Sequence, residues 1–227
     1  MGPSHGAQRT RRDTLTLTLL NLLALFGGFL LPLLILWVLT HNHFPAYGNS
    51  HFIRSLTTVA QVILCLIVLG CAAWAHAERR YAERHRTQLE QLNQLTNSQK
   101  QSHKNSRTSV WRTHFGPGFL ASLSISALVT VSLGLPLSAT KLYLHGISAD
   151  QAFRTEYLTR LTDSTTLHDM AYQGMSPYYP SAWFWLGGRY ANLVHLPGWE
   201  AFNPWAIISL ALTASIITTL WCTIVRP

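Results

Sequence analysis

"FLASLSISALVTVSLGLPLSA", Phe119 to Ala139, runs without one charged side chain. About 20 helical residues cross a hydrocarbon core of about 30 Å, so the stretch reads as a membrane span. Working outward, three more uncharged stretches reach that length: Thr14 to Thr40, Leu56 to Trp74 and Trp205 to Val225. The chain is 48% hydrophobic and only 11% charged, far below the roughly 25% charge of a soluble domain. The expectation is an all-α integral membrane protein with four transmembrane helices.

Arg9, Arg11 and Arg12 precede the first stretch as they would a secretory signal. Its apolar run, however, outlasts the roughly 7 to 15 residues of an h-region, and no small-x-small cleavage site follows. It therefore reads as an anchor that stays. The formal charge of +8 is a matter of topology. Twelve of the 17 Lys and Arg fall before the first span, between the second and third, or after the fourth. By the positive-inside rule that side is cytoplasmic, which places the N-terminus in the cytoplasm of a multi-pass plasma-membrane protein and argues against nucleic-acid binding. Cys65, Cys71 and Cys222 all lie within the spans, as small apolar fillers, and form no disulfide framework or metal-ligand spacing.

This orientation divides the chain into a cytoplasmic N-terminus (1–13), a first helix pair with a short outer loop (14–76), a cytoplasmic basic helix and polar linker (77–116), and a unit over 117–227. That last unit comprises the third span, an outer loop (140–204) and the fourth span. The linker "TNSQKQSHKNSRTS" is too polar to fold alone. Ala24 with Gly28, and Ser122 with Ser126, are small pairs four apart that let helices approach closely. His41, His43 and His51 offer a loose H-x-H spacing for a metal.

The outer segment Thr140 to Asn203 holds 12 of the 25 aromatic residues, where an even spread would give about 7, and is too apolar for disorder. Within it, "SADQAFRTEYLTRLTD" reads as an amphipathic helix. Ser148 and Gln151 form a capping box, Asp150 sits in the first turn where the dipole favours an anion, and Phe153, Tyr157, Leu158 and Leu161 make an apolar stripe. Asp150 with Arg154 and Glu156 with Arg160 have favourable i, i+4 spacing. Such a helix suits the outer leaflet, rings down and charges up. A second short helix is expected from Ser164 to about Tyr172, capped by Asp163 and ended by Gly174. Then comes "PYYPSAWFWLGGRY" (Pro177 to Tyr190), whose rings read singly as interfacial anchors. What speaks for more is convergence: an early-turn carboxylate, three arginines suited to phosphate and aromatic planes suited to a sugar share one segment.

"LGLPLSATKLYLHGISADQAFRTEYLTRLTD", "LHDMAYQGMSPYYPSAWFWLGGRYANL" and "PGWEAFNPWAI" resemble the amino-terminal region of the actinobacterial galactan 5-O-arabinofuranosyltransferases, membrane enzymes of the GT-C class. The match is dense from about Leu133 to Ile207. It implies a truncated GT-C module with amphipathic juxtamembrane helices between spans 3 and 4. The implied reaction transfers arabinofuranose, with inversion, from decaprenylphosphoryl arabinose to the galactan of cell-wall arabinogalactan, on the outer face of the membrane.

On that resemblance Asp150 matches the general base, Arg154, Arg160 and Arg189 would bind the donor phosphate, and Tyr178, Tyr179, Trp183 and Trp185 would meet sugar or lipid. Many enzymes of the class pair two acids there, often with a divalent cation; here Gln151 follows Asp150, and no metal ligands are assigned. The family also has many more spans and a soluble domain, so this chain corresponds to its first third, and a separate chain would supply the missing spans. The rival expectation is a non-catalytic membrane protein, or an inactive fragment, whose outer helices dock a partner or a lipid.

Overall fold

The computed structural model describes residues 5–42, 44, 51–95, 117–141, 146–172 and 174–224. Six helices are formed among them: α1 (His5–His41), α2 (His51–Leu95), α3 (Pro117–Leu137), α4 (Ala149–Asp163), α5 (Ala182–Leu193) and α6 (Gly198–Ile224). Four are long and apolar enough to cross a membrane, over Leu22–His41, His51–Gln88, Gly118–Leu137 and Gly198–Cys222. The protein is a multi-pass membrane protein. The polar linker of residues 96–109 and His43 lie outside the described residues.

The fourth span begins at Gly198, about two turns before the expected Trp205. Pro204 inside α6 removes one backbone donor, that for the Glu200 carbonyl, and this loss does not prevent the turn before it. The Pro197 carbonyl accepts from the N–H groups of Glu200 and Ala201 at 3.0 and 3.1 Å and starts the helix there.

The chain forms two compact units. One comprises Met1–Leu31, Ala60–Leu128 and Leu212–Pro227; the other comprises Pro32–Val59 and Val129–Ala211. In the first, the small residues act as expected. Ala24, Ser122 and Ser126 are buried, and a Cβ on Gly28 would lie 2.2 Å from Ser215 Oγ. Ser126 Oγ donates to the Gly28 carbonyl at 3.0 Å, while Ser122 Oγ lies 2.6 Å from Ser215 Oγ and 3.2 Å from Thr219 Oγ1. With no hydrophobic drive between helices in lipid, close backbone approach and hydroxyl contacts hold them.

The second unit is built on Tyr157, Leu158, Leu161, Phe184 and Phe202, with Met170, Trp183, Trp185 and Trp205 packed around them. Glycine makes this possible. A Cβ on Gly188 would fall 2.5 Å from the Leu161 carbonyl oxygen, and one on Gly187 would fall 2.6 Å from both Leu158 Cδ1 and Trp205 Cδ1, so α5 lies backbone-close against α4.

Three expectations are corrected here. The stripe of α4 does not lie down on lipid: Tyr157, Leu158 and Leu161 are at most 1% exposed, because α5 and Phe202 of α6 cover them. The capping box fails, since Ser148 takes the extended N-cap backbone but its side chain makes no cap bond. No helix forms over 164–172. Ser164 Oγ accepts from the Thr166 N–H at 3.2 Å, and Asp169 Oδ1 accepts from the N–H groups of Ala171 and Tyr172 at 2.9 and 3.0 Å. These local side-chain bonds compete with helix for the same donors. Gly174 is instead the left-handed residue of a turn, φ 76°.

Candidate functional site

Asp150 sits in the first turn of α4, exposed to solvent. Ser148 donates no side-chain bond there, but its carbonyl accepts from the Ala152 N–H at 2.8 Å and closes the turn that carries the acid. Asp150 is not among the residues that line the nearby cavity of about 490 Å³; Gln151 and Arg154, one and four residues further along α4, line it with Tyr179, Trp183, Phe184 and Phe202. That volume is within the range of small-molecule sites.

Each wall has its own support. Arg154 Nε donates to Tyr179 Oη at 3.3 Å, and the Tyr179 ring meets Phe153 edge-on, with centroids 5.2 Å apart. Trp183 Nε1 donates to Ser209 Oγ at 3.1 Å, and its carbonyl accepts from Trp205 Nε1 at 3.0 Å. The indole is thus fixed at both its ring and its backbone. Trp183 also meets Phe202 edge-on at 5.6 Å. The cavity therefore offers a guanidinium, an amide and rigid aromatic planes, a combination suited to an anionic, sugar-bearing ligand.

The remaining expected residues lie elsewhere. Arg160 donates to the Met170 carbonyl, and Arg189 to the carbonyls of Leu161 and Thr162. Asn192 Nδ2 adds a bond to the Thr162 carbonyl at 2.9 Å. The last carbonyls of a helix lack partners within it and carry its negative end, which accounts for Arg189 and Asn192, whereas Arg160, in the last turn, reaches a carbonyl of the following loop. Arg160 is ten residues along α4 from Asp150, about 15 Å. Both arginines are engaged at that far end, and Arg154 alone of the three lines the cavity. Trp185 also faces away: its Nε1 donates to the Thr165 carbonyl at 3.2 Å, and its ring lies 5.5 Å from the Arg189 guanidinium carbon. Tyr178 is 80% exposed and is not part of the cavity wall. Gln151, Phe184 and Phe202 are walls that sequence reasoning missed. Phe202 sits just outside the uncharged run taken for the fourth span, and the α4–α5 contact that turns Phe184 inward is long-range.

Burial raises the Tyr157 hydroxyl above its usual pKa, with Asp169 adding to the rise; Ser181 and Arg160 oppose it. Ser181 is near enough to exert that influence but not in hydrogen-bonding geometry, and the Tyr157 hydroxyl is buried without a partner. Asp169 is held below the usual carboxylate range, first by the Ala171 and Tyr172 N–H groups. Among the described residues no group of three or more His, Cys, Asp or Glu side chains is placed to hold a metal ion.

Comparison with known proteins bears on this arrangement. The family described as arabinofuranosyltransferase N terminal matches residues 21–227. The chain belongs to this family. A galactan 5-O-arabinofuranosyltransferase of Corynebacterium glutamicum is 42% identical over 206 residues, 88% of this chain and 29% of the relative. One from Mycobacterium leprae is 39% identical over 216 residues, 91% of this chain and 29% of the relative. One from Mycobacterium tuberculosis is 41% identical over 182 residues, 80% of this chain and 23% of the relative. The chain thus spans less than a third of the length of these relatives. The arabinofuranosyltransferase N-terminal region covers all of the second unit and every residue of the cavity.

Proposed function

We propose that this chain is the part of a galactan 5-O-arabinofuranosyltransferase that carries the general base, and that it acts on the extracytoplasmic face of the plasma membrane. The observation that supports this reading best is the cavity, just beyond Asp150, in which Gln151 and Arg154 of α4 meet Tyr179 and Trp183, in a chain of this family.

The donor is decaprenylphosphoryl arabinose and the acceptor a galactan hydroxyl. Asp150 takes the hydroxyl proton as the oxygen attacks the anomeric carbon. The bond from that carbon to the phosphate oxygen breaks on the opposite side, with inversion, and the polyprenyl phosphate leaves as an anion. Arg154 faces that developing charge, where a charge-assisted bond is about twice as strong as a neutral one. Trp183 and Tyr179 provide planes for the pentose. The remainder of the relatives' length, whether in the same or a separate chain, completes the donor pocket and acceptor platform.

The test is Asp150→Asn in the complete enzyme, with arabinose transfer from the lipid donor as the readout. A positioned base contributes about 10² to 10⁴ in rate, so a loss of that size is expected. Wild-type turnover would remove the base from Asp150.

A further inference from the structure

A second cavity of the same unit, about 450 Å³, lies among the ends of α1, α3 and α6. Its floor is Leu36, Leu39, Leu137 and Ile207, all inside membrane-crossing stretches. Its mouth holds Lys141 and Glu200; Lys141 lies beyond the end of α3 and Glu200 is in the first turn of α6. On α6, Glu200, Asn203 and Ile207 line this cavity, while Phe202 and Ala206 line the one beside α4. The helix separates the two.

An occupant must place hydrocarbon inward and polar groups outward at the edge of the bilayer, which is the build of a lipid. The head group is constrained further. The mouth's uncharged donors already serve the backbone: Thr40 Oγ1 donates to the Trp37 carbonyl, Asn42 Nδ2 to that of Val38, and Ser138 Oγ to that of Leu135. Lys141 Nζ and Glu200 Oε1 pair at 2.8 Å, the acid only 19% exposed and the base 69%. A purely anionic head group drawing Lys141 away would strand a largely buried carboxylate, which is costly. A phosphate carrying a primary ammonium would leave neither charge alone: phosphate to Lys141, ammonium N–H to Glu200. A trimethylated ammonium has no N–H to donate.

We propose that this cavity holds one chain of an ethanolamine-headed phospholipid, with its head group exchanged into the Lys141–Glu200 pair. The proposal does not rest on the transferase reading.

The test uses the full chain in nanodiscs of equimolar phosphatidylethanolamine, phosphatidylglycerol and phosphatidylcholine, followed by native mass spectrometry of the ejected protein. The expected result is one retained lipid, with ethanolamine favoured about fivefold over either competitor, as partly exposed ion pairs allow. Glu200→Gln should keep the adduct and lose the preference. Thr40→Trp, which fills the mouth, should lose the adduct. Equal retention of all three head groups, or an ethanolamine preference that survives Glu200→Gln, overturns the proposal even if the tryptophan variant fails to fold. Displacement of the adduct by an equal amount of decaprenyl phosphate also overturns it, because the cavity would then belong to a polyprenyl chain.

Discussion

Replacing Gly188 with alanine places a methyl group against backbone. The new Cβ would lie 2.5 Å from the Leu161 carbonyl oxygen, 2.7 Å from its carbon and 2.9 Å from the Thr162 nitrogen. Ordinary contact begins near 3.4 Å, so α5 must move off α4 by most of an ångström, and no flexible side chain can yield in its place. Overpacking of this kind costs about 1 to 3 kcal/mol. Against it stands the gain of up to about 1 kcal/mol from replacing glycine inside a helix. The net expected loss is about 1 to 2 kcal/mol. Gly187→Ala is the internal control, because its new Cβ would meet the side chains of Leu158 and Trp205, which can shift. Thermal unfolding of both variants in detergent should rank Gly188→Ala below Gly187→Ala and both below wild type. Moving α5 also draws Arg189 from the Leu161 and Thr162 carbonyls, so hydrogen exchange should rise in the last turn of α4. Equal melting of Gly188→Ala and wild type would refute the close-approach reasoning.

Tyr157→Phe removes a buried hydroxyl that has no partner; stability should hold or rise by up to about 1 kcal/mol, read from the same melts. Ser122→Ala takes out a hydroxyl shared with Ser215 and Thr219, and a loss of about 0.6 kcal/mol is expected for a hydrogen bond within a membrane, measurable by denaturant titration in mixed micelles. The depressed Asp169 favours the fold at pH values above its unfolded value, and that contribution is lost as pH falls through the lower folded value. Protection of the Ala171 and Tyr172 amides, taken relative to the intrinsic exchange rate at each pH, should therefore fall on acidification below about pH 4, and Asp169→Asn should flatten that dependence.

The membrane helices were legible because an uncharged run of given length is a one-dimensional signal. The segment between α3 and α6 was less so. Phe153, Tyr157, Leu158 and Leu161 are an apolar stripe at either a lipid or a protein surface, and only α5 decides between them. The glycines at 187 and 188 carry no packing signal in the sequence itself, yet they are what lets a helix fit there. Local hydrogen bonds of Ser164 and Asp169 undid the expected short helix, since both residues are as suited to turns as to helix ends. Of the three arginines expected to face a phosphate, Arg154 alone lines the cavity; Arg160 and Arg189 donate to backbone carbonyls, and a carbonyl without a partner attracts the same residue type as a phosphate.

The guanidinium groups of Arg160 and Arg189 fasten α4 near the end opposite its acid. A fifteen-residue helix is about 22 Å long, so it works as a lever with Asp150 near its tip. A tilt of about 3° at the fastening swings the tip by roughly 1 Å, a displacement that can cost about a hundredfold in rate. On the proposed role of Asp150 as base, substitutions at Arg160 or Arg189 in the complete enzyme should therefore slow turnover from the far side of the unit while leaving every group that lines the cavity chemically unchanged.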